Sequence, residues 1–185
     1  FKFYYILFTK MDKKIMKIIE VHDNYLSETD FNQLKNLLLG KDFPHYLQDC
    51  KVFEGDGFFQ FTHIFYDAQV VKSKYFDNLH PILDKLNPVS LIKIKSNLQI
   101  KDTQIVTTDM HHDIEHGYSN FREPIENQKT GIFYMNTNNG KTIFEDGEEI
   151  ESVENRLIIF PASKFHAGTT HTDTRYRCLI NLNWF

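Results

Sequence analysis

Two stretches in the first half of the chain place apolar residues at helical spacing. The first stripe consists of Phe31, Leu34, Leu37 and Leu38. Ser27 precedes it at a capping position and Gly40 follows it, which predicts a helix between these two residues. A second stripe runs through residues 75–86. There Pro81 removes one backbone donor and weakens the prediction of a continuous helix.

After residue 86 the pattern changes from helical to twofold alternation. Within 92–100, Ile92, Ile94, Ser96 and Leu98 alternate with Lys93, Lys95, Asn97 and Gln99. Short candidate strands follow at 131–136, 141–144, 149–153, 156–160 and 175–184, and an aromatic run predicts one outer strand at 58–66. Many short strands separated by turn residues favour a barrel or a sandwich. The chain is therefore predicted to be mainly β, with helices first.

Neither an internal repeat nor a flexible linker divides the 185 residues, which predicts a single domain over 1–185. Residues 16–90 are expected to form a helical support with outer strands, and 91–185 a β core. The chain begins with Phe, and Met11 or Met16 could be the natural start. Residues 1–15 are therefore expected to be a non-native or loosely ordered extension.

Composition narrows the classes of partner. The chain has 21 Lys and Arg against 25 Asp and Glu, a net charge of -4. This balance argues against general binding to nucleic acid or to an anionic membrane. Apolar runs are too short for a membrane span. Cys50 and Cys178 are expected to be free thiols. We expect a soluble, cytoplasmic protein that binds neither nucleic acid nor membrane.

Three of the nine histidines cluster near residue 111. On an extended segment His111 and Asp113 point to the same side and could share a metal ion. His166, 53 residues beyond Asp113, is the best candidate for a third ligand. Two histidines and one carboxylate leave three positions open in an octahedron, as in non-haem Fe(II) oxygenases.

Two other interpretations of this cluster compete. His112 and His116 fit an H-x-x-E-H zinc-peptidase pattern, which requires a helix. Gly117 follows immediately and the region has no apolar stripe, so a helix is disfavoured. The third interpretation is that these are surface-loop histidines with no ligand role.

Two arginines near the end of the chain suggest an anion site. Arg175 and Arg177 are expected to face the same side of the last strand. An arginine inside a barrel is costly unless it meets an anion, and a dicarboxylic cosubstrate would supply one. We expect Arg175, at the open end of the strand, to bind it. Arg177 is expected to lie at the rim or on the surface.

From residue 95 to 184 the chain resembles the 2-oxoglutarate/Fe(II)-dependent oxygenases, in particular their prolyl-4-hydroxylase-like group. The resemblance is carried by the H-x-D of His111 and Asp113, by His166, by Arg175-Tyr176, and by three further segments. These are Ile132-Phe133-Tyr134-Met135-Asn136, Asn139-Gly140-Lys141-Thr142-Ile143-Phe144 and Asn155-Arg156-Leu157-Ile158-Ile159-Phe160-Pro161.

The resemblance implies a double-stranded β-helix, or jelly-roll, with Fe(II) bound by His111, Asp113 and His166. It implies that Arg175 holds the distal carboxylate of 2-oxoglutarate and that Tyr134 donates a hydroxyl hydrogen bond to it, unless Tyr134 is ordinary core packing. Thr142 could also lie near the cosubstrate, although a turn-stabilising hydroxyl is the simpler interpretation.

The implied reaction uses O2 to hydroxylate an unactivated C–H bond, with release of succinate and CO2. A prolyl residue of a peptide or protein, or a small molecule, is the expected substrate. Two alternatives remain open: a non-catalytic jelly-roll binding module, and a cupin-type metalloenzyme of other chemistry.

Overall fold

The computed structural model describes residues 19–113 and 127–185. The predicted N-terminal extension, 1–15, therefore lies outside the described residues. The described strands are β1 (Glu20–His22), β2 (Tyr46–Gln48), β3 (Gln60–Asp67), β4 (Val70–Val71), β5 (Leu91–Ile100), β6 (Lys129–Tyr134), β7 (Lys141–Phe144), β8 (Glu149–Glu151), β9 (Arg156–Pro161), β10 (His166–Gly168) and β11 (Tyr176–Trp184). The helices are α1 (Glu28–Leu38) and α2 (His80–Leu86), and a 3₁₀ turn, Phe76–Leu79, precedes α2.

The described strands form two antiparallel sheets. The larger has the order β1-β9-β6-β11-β5-β3-β2, with β4 paired to β3, and the smaller has the order β10-β7-β8. Bridges from Thr107 to Thr169 and from His111 to His166 add the 107–111 segment beside β10. The sheets meet where Tyr134 of β6 and Thr142 of β7 share a 2.7 Å hydrogen bond. This is the mainly β jelly-roll core with flanking helices that the sequence predicted.

The outer face of the larger sheet carries the main hydrophobic core. Alternate residues of its central strands, among them Ile94, Phe133 and Ile180, pack with helix residues such as Leu34 and Ile82. Because side chains alternate across a strand, the intervening residues must face the smaller sheet. That opposite face is polar along β5 and carries a second, smaller apolar cluster on β6, β9 and β11. It is the face on which the candidate site is built.

The two helices form as their local sequences dictate. The Ser27 hydroxyl accepts a 3.1 Å hydrogen bond from the Asp30 N–H and caps α1, as predicted. In the second stripe the 3₁₀ turn comes first and α2 begins at His80, so that Pro81 falls in the first turn. A proline there costs no hydrogen bond, because first-turn N–H groups have no helical partner. Pro81 therefore marks a helix start and does not break the helix.

The longer strands match the twofold pattern, and the predicted outer strand at 58–66 is confirmed as β3. Strands β1, β2, β4 and β10 were not predicted, because two or three residues are too few to show alternation. Cys50 and Cys178 are free thiols, as expected, and burial raises the pKa of Cys178 to about 12. Within the described residues, no helix has the length and apolar content needed to span a membrane.

Candidate active site

Backbone pairing brings three predicted metal ligands together. The His111 N–H donates to the His166 carbonyl at 2.9 Å, and the His166 N–H donates back to the His111 carbonyl at 3.1 Å. Asp113 follows two residues after His111, so its side chain is carried to the same place. The potential ligand atoms of the three residues lie within 4.8 Å of one another. One Asp113 oxygen is 3.9 Å from the Nε2 atom of each histidine.

Hydrogen bonds fix the orientation of each side chain. The Nδ1 atom of His111 is 3.0 Å from the Asp109 carbonyl, and that of His166 is 3.4 Å from the Lys164 carbonyl. Since a carbonyl can only accept, these contacts favour N–H at Nδ1 and leave both Nε2 lone pairs free. Asn181 Nδ2 donates to both Asp113 carboxylate oxygens at 3.1 Å. Such outer contacts orient metal ligands in proteins.

The charges of the three residues suit a divalent cation. Burial lowers the pKa of His166 to about 4, so its imidazole is neutral at physiological pH. Burial acts to raise the pKa of Asp113, but the charge of His166, which is protonated only in the acidic range where a carboxyl titrates, and the charge of Lys95 lower that pKa below its ordinary value. The result is a neutral His166 imidazole and the His111 ring beside a carboxylate. This donor set fits Fe(II) and other divalent metals with open coordination positions.

The competing histidine is turned away from this group. The His112 ring stacks on Phe165, with centroids 3.8 Å apart, and its Nε2 lies 2.9 Å from the Ser163 carbonyl. His116, the second zinc ligand of that interpretation, lies outside the described residues. Among the described residues, His111, Asp113 and His166 are the only cluster that could hold a metal ion.

The triad lines a cavity of about 60 Å³ between the two sheets, and this cavity is partly open to solvent. Arg177 reaches into the same cavity and is only 2% exposed. Its Nε donates to the Ser152 hydroxyl at 2.9 Å, and one terminal nitrogen donates to the Lys141 carbonyl at 3.3 Å. Arg177 has no carboxylate partner among the described residues, and burial lowers its pKa.

The positions of the two arginines are therefore the reverse of those expected: Arg177 is buried in the cavity and Arg175 lies on the surface. Arg175 is exposed and borders a surface depression with Lys35 and Glu154, away from the triad. The prediction that Arg177 lies at the rim or on the surface is wrong. The physical reason is that β11 begins at Tyr176. Alternation holds only inside a regular strand, so Arg175, just before it, need not share the face of Arg177.

Tyr134 is fully buried and lies close to Arg177, whose guanidinium carbon is 5.8 Å from the centre of the tyrosine ring. Its hydroxyl bonds the Thr142 hydroxyl at 2.7 Å. Thr142 lines the cavity, whereas Tyr134 is not among the lining residues. The predicted contact between Tyr134 and the cosubstrate stays a prediction, and the observed geometry makes Thr142 the nearer hydroxyl.

Several lining residues were not singled out from the sequence. They include Lys95, Asn97 and Gln99 of β5 and Asn181 of β11. Their signal was the polar half of each alternating strand, which ordinarily indicates a solvent-facing surface. Asn97 and Gln99 are instead buried, at 7% and 9% exposure. A long polar face turned into the molecule is the feature that could have identified the site.

A loop between β2 and β3 adds one more cation. The Asp56 carboxylate accepts backbone hydrogen bonds from Lys51 at 2.9 Å, Val52 at 2.7 Å and Phe58 at 2.9 Å, which folds the loop on itself. The Lys51 amine thereby reaches the side-chain oxygen of Gln99 at 3.3 Å. Burial, aided by the charge of Arg177, lowers the pKa of Lys51 to about 8. Nothing local in the sequence signals this position.

No protein-family model matches the sequence, and no curated protein matches it. Solved structures do match. A prolyl-4-hydroxylase from Pseudomonas putida is 12% identical with a TM-score of 0.61, covering 94% of this chain and 95% of that one. A viral collagen prolyl hydroxylase from Paramecium Bursaria Chlorella virus-1, in a 2-oxoglutarate complex, is 14% identical with a TM-score of 0.55, covering 91% and 94%.

A third match has a different activity. An α-ketoglutarate-dependent epimerase from nogalamycin biosynthesis is 14% identical with a TM-score of 0.62, covering 90% of this chain and 77% of that one. The chain thus has the jelly-roll fold of 2-oxoglutarate/Fe(II) oxygenases, prolyl hydroxylases among them, as the motifs predicted. Since these neighbours include hydroxylases and an epimerase, the shared fold leaves the reaction open.

Proposed function

We propose that this chain is an Fe(II)- and 2-oxoglutarate-dependent oxygenase that hydroxylates an unactivated C–H bond. The observation that carries the proposal is the presence, in one cavity, of the convergent His111, Asp113 and His166 group and the buried Arg177. The triad can bind the metal ion, and the arginine can bind a carboxylate of the cosubstrate. A jelly-roll module with no catalytic function would need neither.

Arg177 is the residue that suits the distal carboxylate of 2-oxoglutarate. A guanidinium has five N–H donors, and the contacts with Ser152 and Lys141 use two. Enough donors remain for a two-pronged contact with a carboxylate, which would also compensate the buried charge. Thr142, bonded to Tyr134, can offer a hydroxyl to the same group. The role expected for Arg175 passes to Arg177.

The protein's contribution is to bind and orient. When bound, Fe(II), 2-oxoglutarate and O2 together supply the oxidation, giving succinate, CO2 and a hydroxylated product. His111 and His166 would hold the metal through Nε2, and Asn181 keeps the Asp113 carboxylate turned toward it. A prolyl residue in a peptide, or a small molecule, is the proposed substrate, and a cytoplasmic location remains a prediction.

The first experiment needs no knowledge of the substrate. Protein, Fe(II) and 2-oxoglutarate are mixed without oxygen, and the weak visible charge-transfer band of the chelated metal is recorded. We expect the band in the natural protein and its loss in His166→Ala. His112→Ala is the matched control, because His112 is a neighbouring histidine outside the triad, and it should retain the band.

Two results would contradict the proposal. One is a folded natural protein that shows no band at saturating metal and cosubstrate. The other is loss of the band in His112→Ala with retention in His166→Ala, which would favour the zinc-peptidase ligands. In a second step of the experiment, oxygen is admitted to the loaded natural protein. Succinate release in the presence of candidate substrates then measures turnover.

A further inference from the structure

The cavity has more positively charged side chains than are required to bind the proposed cosubstrate. Its described lining has three cationic side chains, Lys51, Lys95 and Arg177, and one carboxylate, Asp113. Lys51 is mainly protonated at pH 7, since burial lowers its pKa only to about 8. The surplus of two positive charges is unchanged once a divalent metal ion and a dianionic cosubstrate have bound. Uncompensated buried charge is costly, so a further anion is expected.

The strand register separates the cations into two ends. Arg177 pairs with Gln99, whose side chain contacts Lys51, so these two cations share one end. Lys95 pairs with Asn181, the residue that holds Asp113. Four residues of β5 separate Gln99 from Lys95, a distance of about 13 Å along the strand. Lys95 is thus the single cation beside the triad among the described lining residues, at the end away from Arg177.

Within residues 19–113 and 127–185, Lys95 has no neutralising partner of its own. Its ammonium makes no hydrogen bond or ion pair with any described residue. The carboxylate that acts on it most is Asp113, already engaged by Asn181 and suited to the metal. Lys93 adds a like charge, and Asp67 and the Cys50 thiol act more weakly. Burial lowers the pKa of Lys95. A partly buried ammonium that faces an open cavity, and that has no partner in the described part of the chain, can readily bind an anion.

Resting on the proposed function, we propose that the primary substrate carries a carboxylate and that Lys95 binds it. The carboxylate positions the substrate beside the triad, while Arg177 and Lys51 occupy the cosubstrate end. Two sources of this chemistry are a free small carboxylic acid and an acidic side chain in a peptide. Lys95 is a substrate-binding residue, and the site discriminates against uncharged analogues.

The test uses the protein loaded with Mn(II) and 2-oxoglutarate, and it measures the paramagnetic relaxation of probe protons. One probe pair is N-acetyl-L-proline and N-acetyl-L-prolinamide. The other is an N-acetyl-glutamyl-prolinamide peptide and its glutaminyl counterpart. We expect about tenfold tighter binding of an acid than of its amide. Lys95→Met should abolish the preference, and the charge-preserving Lys95→Arg should keep most of it.

If the acid is preferred over the amide in the first pair, the substrate is a free carboxylic acid. If the glutamyl peptide is preferred over the glutaminyl peptide in the second pair, the substrate is an acidic peptide. Equal binding of acids and amides, survival of the preference in Lys95→Met, or no binding of either acid would overturn the inference and leave the proposed function standing. Loss of 2-oxoglutarate binding in Lys95→Met, with normal binding by the natural protein, would also overturn the inference, because it would assign Lys95 to the cosubstrate. Failure of the natural protein to bind Mn(II) and 2-oxoglutarate would instead refute the proposed function itself.

Discussion

Replacing Arg177 by Met tests the assignment of the cosubstrate carboxylate. The change removes the guanidinium and keeps an unbranched apolar stem in a site that is 2% exposed. Each hydrogen bond to a charged group contributes about 1.5–3 kcal/mol. Losing a two-pronged contact therefore costs at least about 3 kcal/mol, or about a 150-fold rise in the Kd of 2-oxoglutarate.

The effect on folding should be much smaller than the effect on binding. Met loses the 2.9 Å hydrogen bond to Ser152, but it also removes a buried cation that has no described carboxylate partner. These changes oppose each other, since an unpaired buried charge is itself destabilising. We expect the melting temperature of the ligand-free protein to change by only a few degrees.

Isothermal titration calorimetry of 2-oxoglutarate into the Mn(II)-loaded protein measures the Kd. Arg175→Met is the matched control, because Arg175 is exposed and lies outside the cavity. It should bind 2-oxoglutarate like the natural protein. The reasoning fails if Arg177→Met binds within threefold of the natural protein, or if Arg175→Met is weakened by as much as Arg177→Met.

Three further predictions concern the frame around the site. Gly131→Ala should destabilise the fold by about 1–3 kcal/mol in urea unfolding, because a Cβ there would lie 2.9 Å from the Trp184 ring; an unchanged midpoint would contradict this. Asn155→Ala should cost about 3 kcal/mol, since the buried Asn155 amide holds both backbone groups of Leu26, at 2.9 and 3.0 Å; a loss below 1 kcal/mol would argue against it. Burial lowers the pKa of His63 below its ordinary 6.5, so the stability it contributes is complete above pH 6.5 and is lost as the pH falls through the lower folded value. His63→Gln should therefore flatten the decline in unfolding free energy below pH 6.5, and an unaltered slope would refute that assignment.

The residues of the candidate metal triad could be predicted from the chain alone. His166 was predicted from its position after a later strand, and His111 and Asp113, two residues apart, are a local pattern. The same is true of the Ser27 cap and of the long strands, because each depends on neighbours within a few residues. The spacing of these residues along the chain is the same in the sequence and in the fold. The resemblance to a known family added the expected order of the strands.

The tertiary structure decided which way each face turns. Alternation says that Lys95, Asn97 and Gln99 share a side of β5, but only the helix layer packed on the opposite side makes theirs the cavity side. The choice between Arg175 and Arg177 depended on where pairing with β5 begins. Lys51 lies at the cavity because hydrogen bonds to Asp56 fold the loop that carries it. Each is a contact between segments far apart in sequence, which periodicity does not encode.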